Sequence, residues 1–172
     1  MNLLPLSPTE SDAQRVMAWR NDPLTLAMSF HQTPKRWESF YPEFLANYFP
    51  GPDLPAYWGL VEGLPVGLVR FRAYDDPLPG GQKPLCDISI MIAPEQRGRG
   101  YSKALILAGS AAVYALGWAW IVAEIKAQNT ASIHAFEAAG YRYIDTYPRS
   151  FSDLPDPIPV RRYLATQKES RG

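Results

Sequence analysis

The run Ala93-Pro94-Glu95-Gln96-Arg97-Gly98-Arg99-Gly100-Tyr101-Ser102-Lys103-Ala104-Leu105 constrains this chain more than any other stretch. Before it, Ile88, Ile90 and Ile92 recur at the two-residue period of a strand that opens at Asp87. After it, the Ala-rich apolar segment Ala104 to Leu116 reads as a helix. Strand, glycine-rich basic turn and helix in that order gather backbone N–H groups and the positive end of a helix around one point, which suits a phosphate. Gly98 and Gly100 have no β-carbon to block close approach and tolerate positive φ. Arg97 and Arg99 are expected to put charge at the rim. A phosphorylated cofactor is the expected guest.

The spacing excludes two common phosphate loops. A dinucleotide fingerprint wants G-x-G-x-x-G, and a P-loop wants G-x-x-x-x-G-K-[ST]; neither is present here. What stands is Arg97, then Gly100, then the small Ser102. This resembles the pyrophosphate-binding signature of the GNAT superfamily of acyl-CoA-dependent N-acyltransferases, with Ser102 where Gly or Ala is usual. A second block, Asn129, Ser132, Phe136 and Gly140-Tyr141, is similar to the family's pattern from its fifth strand into the next helix. Local physics agrees: Asn129 or Thr130 is a good N-cap, Ile133, Phe136 and Ala139 share a helical face, and Gly140 is a helix stop. The resemblance runs from about Leu3 to Leu164 and is specific in these two blocks.

At 172 residues, 47% hydrophobic and 20% charged, the chain has the makeup of one globular domain, expected to span residues 1–172. Zero formal net charge offers no overall field for nucleic acid or a membrane surface. Cys86 is the single cysteine, so no intrachain disulfide forms and a reducing compartment is expected. No apolar run is long enough to span a bilayer, and the start lacks the pattern of a signal peptide, so the expected location is cytoplasmic.

Element by element, Asn2 to Leu6 reads as a strand, and Thr9 caps a helix whose face carries Ala13, Val16, Met17 and Arg20. Asp22-Pro23 should end or bend it, and Thr33-Pro34 should start the next helical region, in which Pro42 is a break or kink. Tyr57–Val61 and Val66–Ala73 read as strands joined at Glu62-Gly63. A Pro/Gly loop over Asp75–Pro84 leads into the strand Cys86–Ile92, and Ile121–Lys126, Tyr141–Tyr147 and Ile158–Ala165 are the later strands. The order matches the GNAT fold: an α/β architecture whose mixed, mostly antiparallel sheet is splayed between strands 4 and 5 and flanked by helices.

The resemblance implies acetyl-CoA as co-substrate, no metal, and N-acetylation by direct attack of an amine. In the family, N–H groups exposed by a bulge in the fourth strand bind the pantetheine and the thioester oxygen. Ile90, Met91 and Ile92 take those positions here, beside Arg97, Gly98, Arg99, Gly100, Tyr101, Ser102, Asn129 and Ser132 as cofactor contacts. Such donors are worth about 3–4 kcal/mol each in acyl transfer. Two carboxylates flank the expected splay, Asp87 and Glu124, and either can take the proton of the amine. Each also has a plain structural reading, a loop-edge hydrogen bond for Asp87 and an ion pair for Glu124. Many family members have a Tyr that protonates the leaving thiolate where this chain has Phe136. Water, Ser132 or His134 are the substitutes, and Tyr141 is expected to point elsewhere. The segment Trp19-Arg20-Asn21 resembles a block in GNAT enzymes acting on amino-sugar nucleotides, which makes Trp19 and Arg20 candidates for the acceptor side. Arg20 pairs either with a phosphate or with a nearby carboxylate, and for the aromatics of this region core packing is the favoured reading. The acceptors compatible with this are a small-molecule amine, foremost an amino sugar on a nucleotide, or the α-amine of a protein as in the ribosomal-protein acetyltransferases. A non-catalytic acyl-CoA-binding module is the alternative of a different class, and a homodimer is an open expectation.

Overall fold

The computed structural model describes residues 1–81 and 85–167. Residues 82–84, the end of the expected Asp75–Pro84 loop, and 168–172 lie outside the described residues. The described strands are β1 (Asn2–Pro5), β2 (Ala56–Val61), β3 (Leu64–Ala73), β4 (Leu85–Ile92), β5 (Trp120–Lys126), β6 (Arg142–Arg149) and β7 (Ile158–Thr166). They form one sheet in the spatial order β1-β2-β3-β4-β5-β7-β6. Helices α1 (Glu10–Arg20), α2 (Pro23–Met28), α3 (Trp37–Asn47), α4 (Tyr101–Ala115) and α5 (Thr130–Ala138) flank it.

All neighbouring strands are antiparallel except β4 and β5, which α4 connects as a parallel crossover. That parallel pairing is short: Leu85, Cys86 and Asp87 face Trp120, Ile121 and Val122, and beyond Asp87 the two strands part. The splay expected between the fourth and fifth strands is therefore present. The expected bulge in β4 is not. Its register against β3 runs from Ala73–Cys86 to Gly67–Ile92 without a shift. The loss of the β5 neighbour, rather than a bulge, is what bares the β4 backbone.

Local signals explain most element boundaries. Thr9 caps α1 by accepting from the Asp12 N–H at 3.2 Å. Glu62 and Gly63, both at positive φ, make the two-residue hairpin turn between β2 and β3, so β3 begins at Leu64 rather than Val66. Asp22-Pro23 ends α1 at Arg20 but also opens α2. The Asp22 carboxylate accepts from the N–H groups of Leu24 and Thr25, and Pro23 sits where a missing N–H costs nothing. Thr33-Pro34 does not start a helix. The Asn21 side chain grips the Lys35 backbone through both N–H and C=O, at 2.7 and 2.8 Å, and α3 begins only at Trp37. Pro42 does not break α3, whose Phe40 and Phe44 are fully buried on either side of it.

Strand alternation divides the core between two faces. Val69 and Phe71 of β3, Cys86 and Ile88 of β4, and Ile121, Ala123 and Ile125 of β5 pack with Leu105, Ile106 and Val113 of α4 and Ile133 and Phe136 of α5. On the other face Trp58 and Leu68 pack with Val16 and Trp19 of α1 and Phe40 and Phe44 of α3.

Candidate active site

The alternation that sends apolar residues of β3, β4 and β5 toward α4 sends a row of charged ones to the opposite face. Arg70 and Arg72 of β3, Asp87 of β4, and Glu124 and Lys126 of β5 line one cavity of about 240 Å³, where α1–α3 leave the sheet uncovered. Its roof is the segment after α2. Phe30 stacks on Phe151 with ring centres 5.1 Å apart, and Gln32 N–H donates to Asp153 at 2.7 Å, tying the roof to the β6–β7 loop.

The two carboxylates stand in different environments. Asp87 faces Arg72 across the β3–β4 ladder, 3.0 Å from Nη2, and its side chain is 15% exposed. Burial pushes its carboxyl above the usual range, with Arg72 opposing the shift. Glu124 is only 7% exposed and accepts three donors: Tyr74 Oη at 2.5 Å and Tyr147 Oη at 2.8 Å on Oε1, and Arg149 Nη1 at 2.6 Å on Oε2. A carboxylate has about four acceptor positions, so Glu124 is nearly saturated. Burial and then the Glu124 hydrogen bond push the Tyr147 hydroxyl up to about 12, which keeps it a donor. Asp87 has spare acceptor capacity at the cavity; Glu124 has little.

A second cavity, about 570 Å³, runs along the splay. Ile90 and Ile92 form one wall, the turn Gly98–Ser102 closes one end, and Asn129 and Ser132 at the start of α5 lie opposite. Asn129 caps α5 by accepting from Ser132 N–H at 3.3 Å, and both side chains also line the first cavity. The two spaces meet at Ile90, Met91, Asn129 and Ser132 below and Thr25 and Met28 of α2 above.

The turn is left-handed at both glycines and open in front of them. Gly98 and Gly100 stand at φ 75° and 77°, and Gly100 is the N-cap of α4. A β-carbon at either would meet no protein atom within 4 Å, so the space before the turn is left open. Hydrogen bonds from Ala93 N–H to Val66 and from Tyr74 N–H to Leu85 set the parity of the β3–β4 ladder. By that parity the main-chain groups of Ile90 and Ile92 turn toward the splay, and those of Met91 turn toward Leu68 of β3. Of the expected trio, two positions present backbone to the groove.

Other expected residues are placed differently. Arg97 is not a free rim charge: its Nη2 donates to Asp22 Oδ2 and, at 2.7 Å, to Thr25 Oγ1, bracing α2 over the groove. That bond holds the Asp22 carboxyl below its usual range. Arg99 is exposed and outside the groove lining, whereas Tyr101 and Ser102 line it. Trp19 is 7% exposed and packs edge-on against Trp58 at 5.2 Å, so it is core and not an acceptor contact. Arg20 does line the first cavity and donates to Tyr48 Oη at 2.6 Å. Phe136, 2% exposed, reaches the first cavity without any hydroxyl. Tyr141 is buried against Ser110 Oγ at 2.8 Å, and His134 is exposed; neither lines the cavities. Sequence reasoning missed Arg70, Lys126 and Tyr48; at Glu124 it offered an ion pair, which Arg149 supplies, but named neither that partner nor Tyr74 and Tyr147. The alternation Val69-Arg70-Phe71-Arg72 was the available signal for Arg70: charges at every second position of a strand whose other face is apolar. Among the described residues no group of three His, Cys, Asp or Glu comes together to hold a metal, and no helix is long and apolar enough to cross a membrane.

Several solved structures share this fold at 16–20% sequence identity. A spermidine N-acetyltransferase from Vibrio cholerae, in complex with CoA and spermine, superposes with a TM-score of 0.79 at 16% identity, covering 99% of this chain and 98% of that one. An aminoglycoside acetyltransferase in complex with coenzyme A and kanamycin gives 0.78 at 16% identity, with 99% and 96% covered. A ribosomal-protein-alanine N-acetyltransferase from Brucella melitensis gives 0.76 at 20% identity, with 96% and 99% covered. No curated protein matches the sequence significantly. The family model described as "Acetyltransferase (GNAT) domain" matches residues 2–142, which spans the splayed strands, the glycine turn and the capped start of α5. The chain belongs to the GNAT family of acetyltransferases.

Proposed function

We propose that residues 1–172 act as one catalytic domain that moves an acetyl group from acetyl-CoA to a primary amine on a small molecule, foremost an amino sugar carried on a nucleotide. The observation that carries this reading is the meeting of the two cavities: an open phosphate-type groove runs into a small roofed chamber whose floor holds Asp87. Gly98, Gly100 and Ser102 take the pyrophosphate. The main chains of Ile90 and Ile92 guide the pantetheine arm toward the closed end of the splay, and their N–H groups polarise the thioester oxygen. Asp87, with its raised carboxyl, accepts the proton from the attacking amine directly or through water. Arg72 holds the carboxylate in place, and Glu124 anchors the wall through Tyr74, Tyr147 and Arg149. The leaving thiolate, with a thiol pKa of about 8.5, is a fair leaving group without a tyrosine. Ser132, at the junction of the two cavities, or water returns its proton.

The roof of Phe30 and His31 over a chamber of about 240 Å³ supports a small acceptor over a peptide chain. The test is thiol release from acetyl-CoA against a panel of amino-sugar nucleotides, other small amines and short peptides. Turnover of a small amine, with kcat reduced about a hundredfold or more in Asp87→Asn and acetyl-CoA affinity kept within twofold, is the expected result. Full activity in Asp87→Asn would remove the base from the scheme, and turnover confined to peptides would remove the small-amine acceptor.

A further inference from the structure

Two guanidinium groups stand against the acceptor chamber with no ion-pair partner among the described residues. Arg20, the last residue of α1, donates to the hydroxyl of Tyr48. Arg70, on β3, lies with its guanidinium carbon 3.6 Å from the centre of the same ring and donates to the Asn47 carbonyl at 3.2 Å. Tyr48 is 3% exposed and offers no negative charge. Among the described residues neither arginine makes an ion pair, and Asp87, whose charge Arg70 feels, spends its hydrogen bonds on Arg72. Burial pulls the Arg70 pKa below the usual arginine range; Tyr48 and Asp87 oppose that shift, and the neighbouring Arg72 and Arg20 charges add to it. From the far wall Lys126, 2% exposed, adds a further basic group that donates to the Ala27 carbonyl at 3.3 Å; burial lowers its pKa and the Asp153 charge opposes that shift. Arg70 also serves the C-terminal end of α3 at Asn47, but that service needs neither Arg20 nor a position on a cavity.

Like charges gathered on a half-buried wall repel one another unless an anion joins them. We propose that Arg20 and Arg70 bind an oxyanion on the acceptor, a phosphate or a carboxylate, so that the substrate is an amine carrying a negative group at a distance. This rests on the small-amine reading above and sharpens it. Arg70 lies two residues along β3 from Arg72, the ladder partner of Asp87, a separation of about 7 Å at strand rise. An α-amino acid holds its amine and carboxylate closer than that, whereas an amino-sugar phosphate or a long ω-amino acid spans it. Polycations without an anion are repelled by the same wall.

The test compares matched acceptors: glucosamine with its 6-phosphate, 6-aminohexanoate with its amide, and spermine and kanamycin as polycations. The wild-type kcat/KM is expected to favour an anionic member over its neutral partner by at least tenfold; which pair shows it tells phosphate from carboxylate. In Arg20→Met that ratio falls at least tenfold, and in Arg70→Lys, which keeps the charge but loses the fork, it falls by less. Loss of packing alone would lower both members together and keep the ratio. Separately, with the phosphate loop filled by saturating CoA, inorganic phosphate should raise the melting temperature of wild type and not of Arg20→Met. That result with no acceptor turned over would support the oxyanion corner and sink the small-amine reading. Neutral or polycationic amines used as well as anionic ones, with no effect of phosphate, would overturn the oxyanion proposal and leave the small-amine reading standing.

Discussion

Gly100 tests the donor side at the scale of one residue. It is the α4 cap at positive φ, and a β-carbon there meets open space within the protein. Gly100→Ala should therefore cost stability only through its left-handed backbone, about 1–2 kcal/mol. Acetyl-CoA affinity, measured by calorimetry, should fall at least tenfold, about 1.4 kcal/mol; a stability loss with unchanged affinity would move the pyrophosphate elsewhere. Asp87 tests the acceptor side. Its carboxyl is raised by burial and held back by Arg72, so removing that cation in Arg72→Met lifts it further. A base works only when unprotonated, so the acid limb of kcat/KM against pH should move to higher pH, and a stationary limb would separate Asp87 from the proton transfer. The residues also mark where sequence reading succeeds. Asn129 and Gly100 are legible because a cap or a glycine declares its own backbone. Trp19 stayed open between pocket and core, with core favoured, because a tryptophan looks the same in either; it lies in the core.

At the scale of elements, α2 is the instructive case. Asp22-Pro23 reads as the end of one helix and also begins another, because a cap residue followed by proline serves both purposes. The same Asp22 receives Arg97 from the phosphate turn, so this six-residue helix walls both cavities and depends on one carboxylate. Asp22→Ala should cost about 1–2 kcal/mol through the cap, read as a lower denaturant midpoint, and should weaken acetyl-CoA binding as well. The pH dependence has a definite sign. Arg97 holds the folded-state carboxyl below its usual range, so its stabilisation is complete above the ordinary aspartate pKa of about 3.9. It is lost as pH falls through the lowered folded-state value. The gap in midpoint between wild type and Asp22→Ala should therefore close in strong acid; a gap independent of pH would mean the ion pair contributes nothing.

For the whole molecule, the consequential feature is the parting of β4 from β5 after three residue pairs. The sheet continues on both sides, β4 with β3 and β5 with β7, so the gap is held open by two well-paired half-sheets. A cofactor lying in that gap binds the folded chain and not the unfolded one. Acetyl-CoA at a hundred times its dissociation constant should add about 2.7 kcal/mol, or about 5–10 °C in melting temperature for a chain of this size. A scan with no shift would argue that the gap does not receive it. Glu124 belongs to this scale too, since its donors come from just past the end of β3 and from β6, brought together only by the spatial order of the strands.

Period, caps and turns are local properties of the chain, and they carried the element order, the glycine turn at the head of α4 and the start of α5. Local chemistry of that kind survives in a linear sequence because the interacting groups are neighbours within a few residues. The partner of each charge is not local. Arg97 reaches back 75 residues to Asp22, Tyr74 reaches forward 50 to Glu124, and Arg20 meets Tyr48 across 28. Whether a given charge was free for a ligand or spent inside the protein depended on those long-range meetings. That is why the groove was foreseeable from a motif, and why the division of labour among Asp87, Glu124, Arg20 and Arg70 emerged only once the strands were laid side by side.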